Sequence, residues 1–254
     1  MHSKIYNIYK PLGLTPLEAL EKFRLTKKLS KDLKITYAGR LDPMAEGILI
    51  LLTGQKVHEK EKFLKLDKIY KAQILFGIST DTFDILGKII KTDSKPPRVD
   101  DIKKEIKKFI GKINLPIPPY SSVPISGTPS FIYARAGKLN TANAPSREME
   151  IYNIKFNNFK KIDSQKILKT VQDKIAKVSG DFRQEDILKL WERQLKIRNN
   201  CEFYILNITI HCASGTYIRS IAHTLGKKLN SPSLLYDLKR EKVGRHTVKK
   251  SLKI

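Results

Sequence analysis

Around Asp42 the chain reads Gly39-Arg40-Leu41-Asp42-Pro43-Met44-Ala45-Glu46-Gly47-Ile48-Leu49. Pro43 fixes the backbone directly after the carboxylate, and Gly47 allows the chain to pass close to a ligand or to a neighbouring element. The apolar run 48–52 is short enough to be a buried strand. An Asp-Pro turn that only joins two elements is the common alternative. The pattern predicts a carboxylate held on a stiff loop beside a buried strand, where it could act on a docked molecule.

The composition indicates a basic, folded, soluble protein. Of 254 residues, 41% are hydrophobic, which favours a packed core over disorder. The 49 Lys and Arg outnumber the 25 Asp and Glu and give a formal net charge of +24. No apolar run approaches the roughly 18 residues of a membrane helix, so we expect no membrane association. Nucleic acid is the commonest partner for such a charge, and a Lys-rich composition without a function is the alternative.

The sequence contains no recognisable motif for a metal or a cofactor. Cys201 and Cys212 lack the spacing of metal ligands, which predicts reduced thiols of an intracellular protein. The five histidines form no metal-binding pair, and motifs of phosphate loops, dinucleotide sites and serine hydrolases are missing. We therefore expect no metal and no cofactor.

Four further motifs accompany the Asp42 segment along the chain. They are Lys10-Pro11-Leu12-Gly13-Leu14-Thr15, then Lys68-Ile69-Tyr70-Lys71-Ala72 with Thr80-Asp81-Thr82-Phe83-Asp84, then Pro118-Pro119-Tyr120-Ser121, and Gly215-Thr216-Tyr217-Ile218-Arg219. In content and order these five blocks resemble the TruB-type tRNA pseudouridine-55 synthases. The resemblance runs from about Ile8 to Val248, which is nearly the whole chain.

The resemblance implies a mixed α/β fold with a largely antiparallel central sheet flanked by helices, and it implies three catalytic residues. Asp42 matches the nucleophile, expected in a water-poor pocket where desolvation raises a carboxyl pKa. Arg219 matches the residue that pairs with this carboxylate and opposes that shift. Tyr70 matches the aromatic residue that stacks on the target base, and a role as a base toward the sugar stays open.

Four more residues match substrate-binding positions of the family. Tyr217 is expected to line the pocket, and Leu238 to contact the nucleotide, although core packing explains a leucine equally well. Lys10 is expected either to support the Asp42 loop or to contact a phosphate. Tyr37 stands where the family usually has a histidine, and it could fill the space of the flipped-out nucleotide by stacking. A second departure is Pro124, which replaces the lysine of a loop that is also shortened here.

Periodicity predicts several elements between these motifs. We expect strands at 5–9, 48–52 and 69–76, and helices starting at a Thr15 capping box, at 55–64 and at 216–229. In the helix after Thr15, we expect one face to be formed by Leu17, Leu20, Phe23 and Lys27. Ile102, Ile106, Phe109 and Ile110 should share a face of another helix. Strands are also expected at 202–213 and at 243–248.

The segment 163–200 departs most from the bacterial family pattern. Two amphipathic stretches predict a helical hairpin inserted between two strands, with Lys and Arg that could touch RNA. A solvated insertion packed on the core is the alternative. Apart from this insertion we expect residues 1–254 to be one catalytic domain, without the C-terminal RNA-binding domain that many relatives carry.

These observations predict a pseudouridine synthase that acts on a flipped-out uridine in the T-arm of tRNA. A non-catalytic RNA-binding or RNA-folding module and a synthase acting on another RNA are the alternatives. The first motif begins near Ile8, so we expect no leader and a cytoplasmic protein. We also expect a monomer that requires no protein partner.

Overall fold

A large, mainly antiparallel sheet forms the centre of the protein, and the predicted fold class is confirmed. The computed structural model describes residues 3–93, 95–198 and 202–254. Within them the strands are β1 (Ile5–Lys10), β2 (Ile35–Ala38), β3 (Ala45–Thr53), β4 (Lys68–Phe76), β5 (Ile78–Thr80), β6 (Ile89–Thr92), β7 (Gly111–Pro116), β8 (Pro124–Ile125), β9 (Thr128–Pro129), β10 (Ser146–Ile162), β11 (Phe203–Cys212), β12 (Ser233–Val243), β13 (His246–Thr247) and β14 (Leu252–Lys253).

Helices cover both faces of the sheet. In the same residues they are α1 (Pro16–Thr26), α2 (Lys60–Leu64), α3 (Val99–Lys107), α4 (Ser130–Arg135), α5 (Ser164–Ile175), α6 (Gln184–Ile197) and α7 (Ile218–Lys228). The sheet order is β14-β1-β3-β12-β4-β11-β10-β7, with β2 beside β3 and β13 beside β12. The β1–β14 and β3–β12 pairs run parallel. The pairs β5–β6 and β8–β9 form separate small hairpins.

The alternation of side chains along the central strands separates two hydrophobic layers. Ile74 and Leu206 pack in one cluster with residues of α3 and α7. Their neighbours Leu75 and Ile205 pack in the other cluster with residues of α5 and α6. The loop that carries Asp42 leads from β2 into the start of β3.

Most predicted elements are present. The Thr15 capping box forms as expected, because Glu18 N donates to Thr15 Oγ1 at 3.2 Å and Thr15 N donates to Glu18 Oε2 at 2.7 Å. Strands β1, β3, β4 and β11 and helix α7 lie close to their predicted positions.

Four details of the prediction are wrong. Leu17 is 59% exposed, because it lies about 110° around α1 from the stripe of Ala19, Leu20 and Phe23. Ile110 is 45% exposed, because α3 already ends at Lys107. Residues 54–59 form a tight 3-10 turn before the short α2, not one continuous helix. Residues 243–248 contain a turn, because Gly244 adopts a left-handed φ of +50°.

The inserted segment forms two helices that connect neighbouring antiparallel strands. Helices α5 and α6 lie between β10 and β11, which pair with each other. Trp191 of α6 is fully buried, and its Nε1 donates to Gly87 O at 3.1 Å. The inner faces of both helices therefore belong to the core. Asn199 and Asn200, at the predicted end of the hairpin, and Cys201 lie outside the described residues.

Candidate active site

The loop that carries Asp42 is held by a buried arginine from the other end of the chain. Arg240 on β12 donates from Nε to Ile48 O at 2.7 Å, from Nη1 to Arg40 O at 2.9 Å and from Nη2 to Gly39 O at 3.2 Å. Arg240 is almost fully buried, so these bonds replace the hydration of its guanidinium. The loop is thereby fixed from both sides of Asp42.

Close approach of two strands explains the glycine that follows the loop. Gly47 has a φ of +113°, and a Cβ placed on it would lie 2.3 Å from the carbonyl oxygen of Arg240. A side chain at this position would therefore push β12 away from β3. The predicted role of Gly47 in close approach applies to a neighbouring strand, and this contact brings Arg240 to the Asp42 loop.

An ion pair joins Asp42 to Arg219, as the family resemblance implies. Nε of Arg219, in the first turn of α7, lies 2.9 Å from Oδ2 of Asp42. Nη1 of Arg219 donates to the carbonyl oxygens of Thr82 at 3.0 Å and of Tyr120 at 3.3 Å. These two carbonyls fix the orientation in which the guanidinium meets the carboxylate.

A second carboxylate, Asp84, shares the same arginine. Its Oδ2 lies 3.7 Å from Nε of Arg219, and its Oδ1 accepts hydrogen bonds from Thr82 Oγ1 at 2.8 Å and from Leu86 N at 2.9 Å. Burial raises the pKa of Asp84 to about 6, although the charge of Arg219 lowers it. Arg219 thus lies between an accessible and a buried carboxylate.

The accessibility of Asp42 corrects one expectation. Its side chain is 38% exposed, whereas that of Asp84 is only 8% exposed. Asp42 borders open cavities on both sides, so it is not in a water-poor pocket in the free protein. The desolvated carboxylate of this site is Asp84.

Six of the seven predicted site residues, all except Lys10, line one cavity. The cavity has a volume of about 600 Å³ and is lined by Tyr37, Tyr70, Tyr217 and Leu238 together with Asp42 and Arg219. Tyr70 is buried on β4, and burial raises the pKa of its hydroxyl above the ordinary value. The hydroxyl therefore stays un-ionised at neutral pH.

A family comparison identifies the kind of protein to which this site belongs. The family model described as "TruB family pseudouridylate synthase (N terminal domain)" matches residues 27–176. The chain belongs to the TruB family.

Similar proteins agree with this assignment. A TruB-family protein of Borreliella burgdorferi (strain ZS7), named tRNA pseudouridine synthase B, is 32% identical over 244 residues, which cover 96% of this chain and 71% of the relative. Proteins of the same name from Clostridium acetobutylicum and Thermotoga maritima are 31% and 27% identical over 94% and 97% of this chain, and 67% and 64% of those proteins are covered.

Solved structures with this fold are more distant. The crystal structure of a Cbf5-Nop10-Gar1 complex matches with a TM-score of 0.60 and 17% identity over 98% of this chain. A structure of an H/ACA RNP bound to a substrate RNA containing 2'-deoxyuridine matches with a TM-score of 0.57 and the same identity. This chain spans about half of those chains, 52% and 50%, and the similarity concerns the fold.

Two residues that were matched to substrate-binding positions of the TruB family differ in exposure. Lys10 has 0% exposed surface, and its Nζ donates to Pro11 O at 3.0 Å and to Leu14 O at 2.7 Å. This burial does not fit the expected phosphate contact. Both acceptors lie in the 11–14 segment, and support of the Asp42 loop stays a prediction. Tyr37 on β2 is half-buried and lines the 600 Å³ cavity, with Nζ of Lys60 5.9 Å from the centre of its ring.

Leu238 packs in the core, as one of its two interpretations expected, and its contact with the nucleotide stays a prediction. It lines the cavity, and it also packs in the core with Tyr70 and Ala72. Pro124, where the TruB family usually has lysine, begins the small β8–β9 hairpin and lines the same cavity. Cys212 ends β11 as a buried free thiol.

Sequence reasoning assigned no role to three residues of this TruB-family site. They are Asp84, Lys68 and Arg240. The first two stand inside quoted motifs, and their contacts in the site become visible only in the fold. Lys68 is buried in the cavity wall, its Nζ donates to Leu64 O at 2.7 Å, and burial lowers its pKa to about 8.

A second cavity adjoins the other side of the Asp42–Arg219 pair. It has a volume of about 330 Å³ and is lined by Tyr120, Phe182 and Arg183 beside these two residues. Phe182 and Arg183 come from the turn between α5 and α6. The insertion therefore contributes directly to the surroundings of the site.

Proposed function

We propose that this protein is a tRNA pseudouridine synthase that isomerises a T-loop uridine, with Asp42 as the nucleophile. The observation that carries the proposal is the Asp42–Arg219 ion pair at the mouth of the cavity lined by Tyr70 and Tyr217. Membership of the TruB family and the names of the similar proteins support the reaction and the tRNA substrate. The T-loop position rests on the resemblance of the five sequence motifs.

The reaction needs a nucleophile and a pocket for a detached base. The bond between ribose C1′ and uracil N1 breaks, the base turns, and C1′ bonds to C5 instead. N1 gains a proton and C5 loses one, so atoms balance without a redox step. A cavity of about 600 Å³ can hold a uracil together with its ribose.

The charges around Asp42 suit a carboxylate that must attack. Arg219 remains protonated at all relevant pH values and places its positive charge 2.9 Å from the carboxylate of Asp42. The partial exposure of Asp42 leaves one side of the carboxylate open to the nucleotide. Attack on the sugar and attack on the base both use this carboxylate, and both remain compatible with the proposal.

Binding of tRNA is expected to depend on the positive surface. The formal net charge of +24 favours contacts with phosphates. Extrusion of the uridine from the T-loop would then place the base against Tyr70, with the ring of Tyr37 near the vacated space.

We further propose a cytoplasmic location. In the described residues no helix is long and apolar enough to span a membrane. Action as a monomer without protein partners remains a prediction, and the Cbf5 structure is that of a complex.

Sequencing of pseudouridine in defined RNAs tests the proposed function. The purified protein is incubated with unmodified transcripts of tRNA and of ribosomal RNA, and pseudouridine is mapped by chemical labelling, with a tRNA transcript that carries cytidine at the target position as the control. We expect modification of one T-loop uridine. Modification only of ribosomal RNA would indicate a synthase with another substrate. Binding of tRNA without any product would indicate an RNA-binding module.

A further inference from the structure

The turn between α5 and α6 carries a charged residue that no motif of the family explains. Arg183 lies in the inserted segment and lines the 330 Å³ cavity together with Asp42 and Arg219. Its side chain is mostly buried although it belongs to a connecting turn. A buried arginine needs several hydrogen-bond acceptors, and these acceptors indicate its function.

The backbone of Arg183 adopts a conformation that residues with a side chain rarely take. Its φ is +64° and its ψ is 29°, in the left-handed region. The residue precedes α6 without providing a side-chain cap for that helix. Such strain persists when surrounding contacts hold the residue in place, and here the contacts of the guanidinium can do so.

The guanidinium of Arg183 bridges two separate segments. Nη1 donates to Oδ2 of Asp81 at 2.7 Å and to the hydroxyl of Tyr120 at 2.7 Å, and Nη2 lies 3.4 Å from Oδ1 of Asp81. The guanidinium carbon also lies 4.0 Å from the centre of the Tyr120 ring. A planar group with several donors is required for contacts of this kind.

The two bridged segments are those that orient Arg219. Its Nη1 donates to Thr82 O and to Tyr120 O. Thr82 follows Asp81 directly in the chain, and Tyr120 is itself held by Arg183. The contacts therefore run from Arg183 through two backbone carbonyls to Arg219 and from there to Asp42.

We propose that Arg183 is a positioning residue for the catalytic pair. Arg183 holds residues 81 and 82 against the segment that contains Tyr120. It thereby keeps Thr82 O and Tyr120 O, the two carbonyl acceptors of Arg219, at a constant separation. Without it, Arg219 would sample several orientations, and the carboxylate of Asp42 would spend less time in a reactive geometry. This proposal rests on the proposed function, because it concerns the rate of that reaction.

Single-turnover kinetics separate positioning from RNA binding. Arg183→Ala should lower the rate at saturating tRNA by about tenfold, while the dissociation constant of the tRNA changes less than twofold. Tyr120→Phe removes only the hydroxyl acceptor and should give a smaller loss. Arg183→Lys should recover little, because one ammonium cannot reproduce the two-sided bridge. Arg193→Ala, an exposed residue of α6, is the matched control and should equal the wild type.

Each other outcome has a definite meaning. Weaker tRNA binding with an unchanged saturating rate would make Arg183 an RNA contact and overturn the proposal. An unchanged rate and affinity in Arg183→Ala would also overturn it. If Arg183→Ala does not fold, an unchanged saturating rate in both Arg183→Lys and Tyr120→Phe would count against it. Absence of pseudouridine with the wild type and with Arg193→Ala would mean that the proposed function itself has failed.

Discussion

At the scale of single residues, Arg219 has the most demanding position in the site. Its Nε lies 2.9 Å from Asp42, and its Nη1 is held by two backbone carbonyls. A lysine at this position would keep the charge but could not contact the carboxylate and both carbonyls at the same time.

Substitution Arg219→Lys should therefore lower activity without unfolding the protein. We expect the single-turnover rate to fall about a hundredfold, since a small misplacement of a reacting group can cost this much. Thermal unfolding monitored by circular dichroism provides the check on the fold, and Arg193→Lys on the surface of α6 is the control. A fully active Arg219→Lys variant would show that this pairing is not needed.

The sequence made some of these residues predictable and others not. Asp42, Tyr70 and Arg219 stand in motifs whose spacing resembles a known family, so their proximity could be expected. Asp84 bonds locally to Thr82 and Leu86, but its ion partner Arg219 is distant in the chain, as are the acceptors of Arg240. No local pattern shows such distant contacts. Arg240 supports a loop 200 residues away, and sequence alone gives no reason to distinguish it from a surface arginine.

At the scale of elements, the turn between β5 and β6 packs against α7, and each of the two contains a buried titratable group. Asp84 lies next to Phe83, and the ring of Phe83 stacks on His223 of α7 with ring centres 3.8 Å apart. Burial raises the pKa of Asp84 from 3.8 to about 6, and burial lowers the pKa of His223 from 6.5 to about 4. These shifts have opposite consequences for stability.

The signs follow from which state binds the proton. Between pH 4 and 6 the folded protein binds a proton at Asp84 that the unfolded chain has released, so this contribution to stability falls as pH rises. In the same range the unfolded chain binds a proton at His223 that the folded protein does not, so this contribution rises with pH. Each amounts to roughly 3 kcal/mol, and the two largely cancel in the wild type.

Single substitutions should reveal the two opposing slopes. Relative to the wild type, the free energy of unfolding of Asp84→Asn should rise by roughly 3 kcal/mol between pH 4 and 6.5, and that of His223→Gln should fall by a similar amount. Urea unfolding at several pH values measures both. Differences that do not vary with pH in either variant would contradict the pKa shifts described here.

Helices and strands were predictable to different degrees. The start of α1 follows from local chemistry, namely a capping box with proline at the first helical position. The resemblance places Leu238 on a C-terminal strand, but periodicity did not predict the bounds of β12, because register shifts after Leu235 and after Arg240 interrupt its pairing with β4 and break the alternation of side chains. Pairing with β3 and β4 on either side stabilises this strand, and such pairing is not visible in its own sequence.

At the scale of the whole molecule, the positive charge should dominate RNA affinity. If six to eight phosphates are neutralised, the slope of log K against log salt concentration for tRNA should be about −4 to −7. Filter binding or fluorescence anisotropy at several salt concentrations measures it. A slope near zero would mean that the net charge of +24 reflects composition alone.

The insertion needs a different test from simple deletion. Because its helices bury Trp191 and other apolar residues against the sheet, removing it would expose the core. Replacing Lys169, Lys189 and Lys196 by glutamine changes only its outer surface. A flatter salt slope in this variant would indicate RNA contacts, and an unchanged slope would indicate that the outer face is solvated.

The central claim is that Asp42 performs the chemistry, and the most direct test is the release of the uracil C5 proton from tRNA labelled with tritium at that position. Formation of the new bond from C5 to C1′ must release this label. Asp42→Asn should release none, while its tRNA affinity stays within a few-fold of the wild type, because phosphate contacts supply most of the binding. Release by Asp42→Asn at a rate near that of the wild type would contradict the assignment.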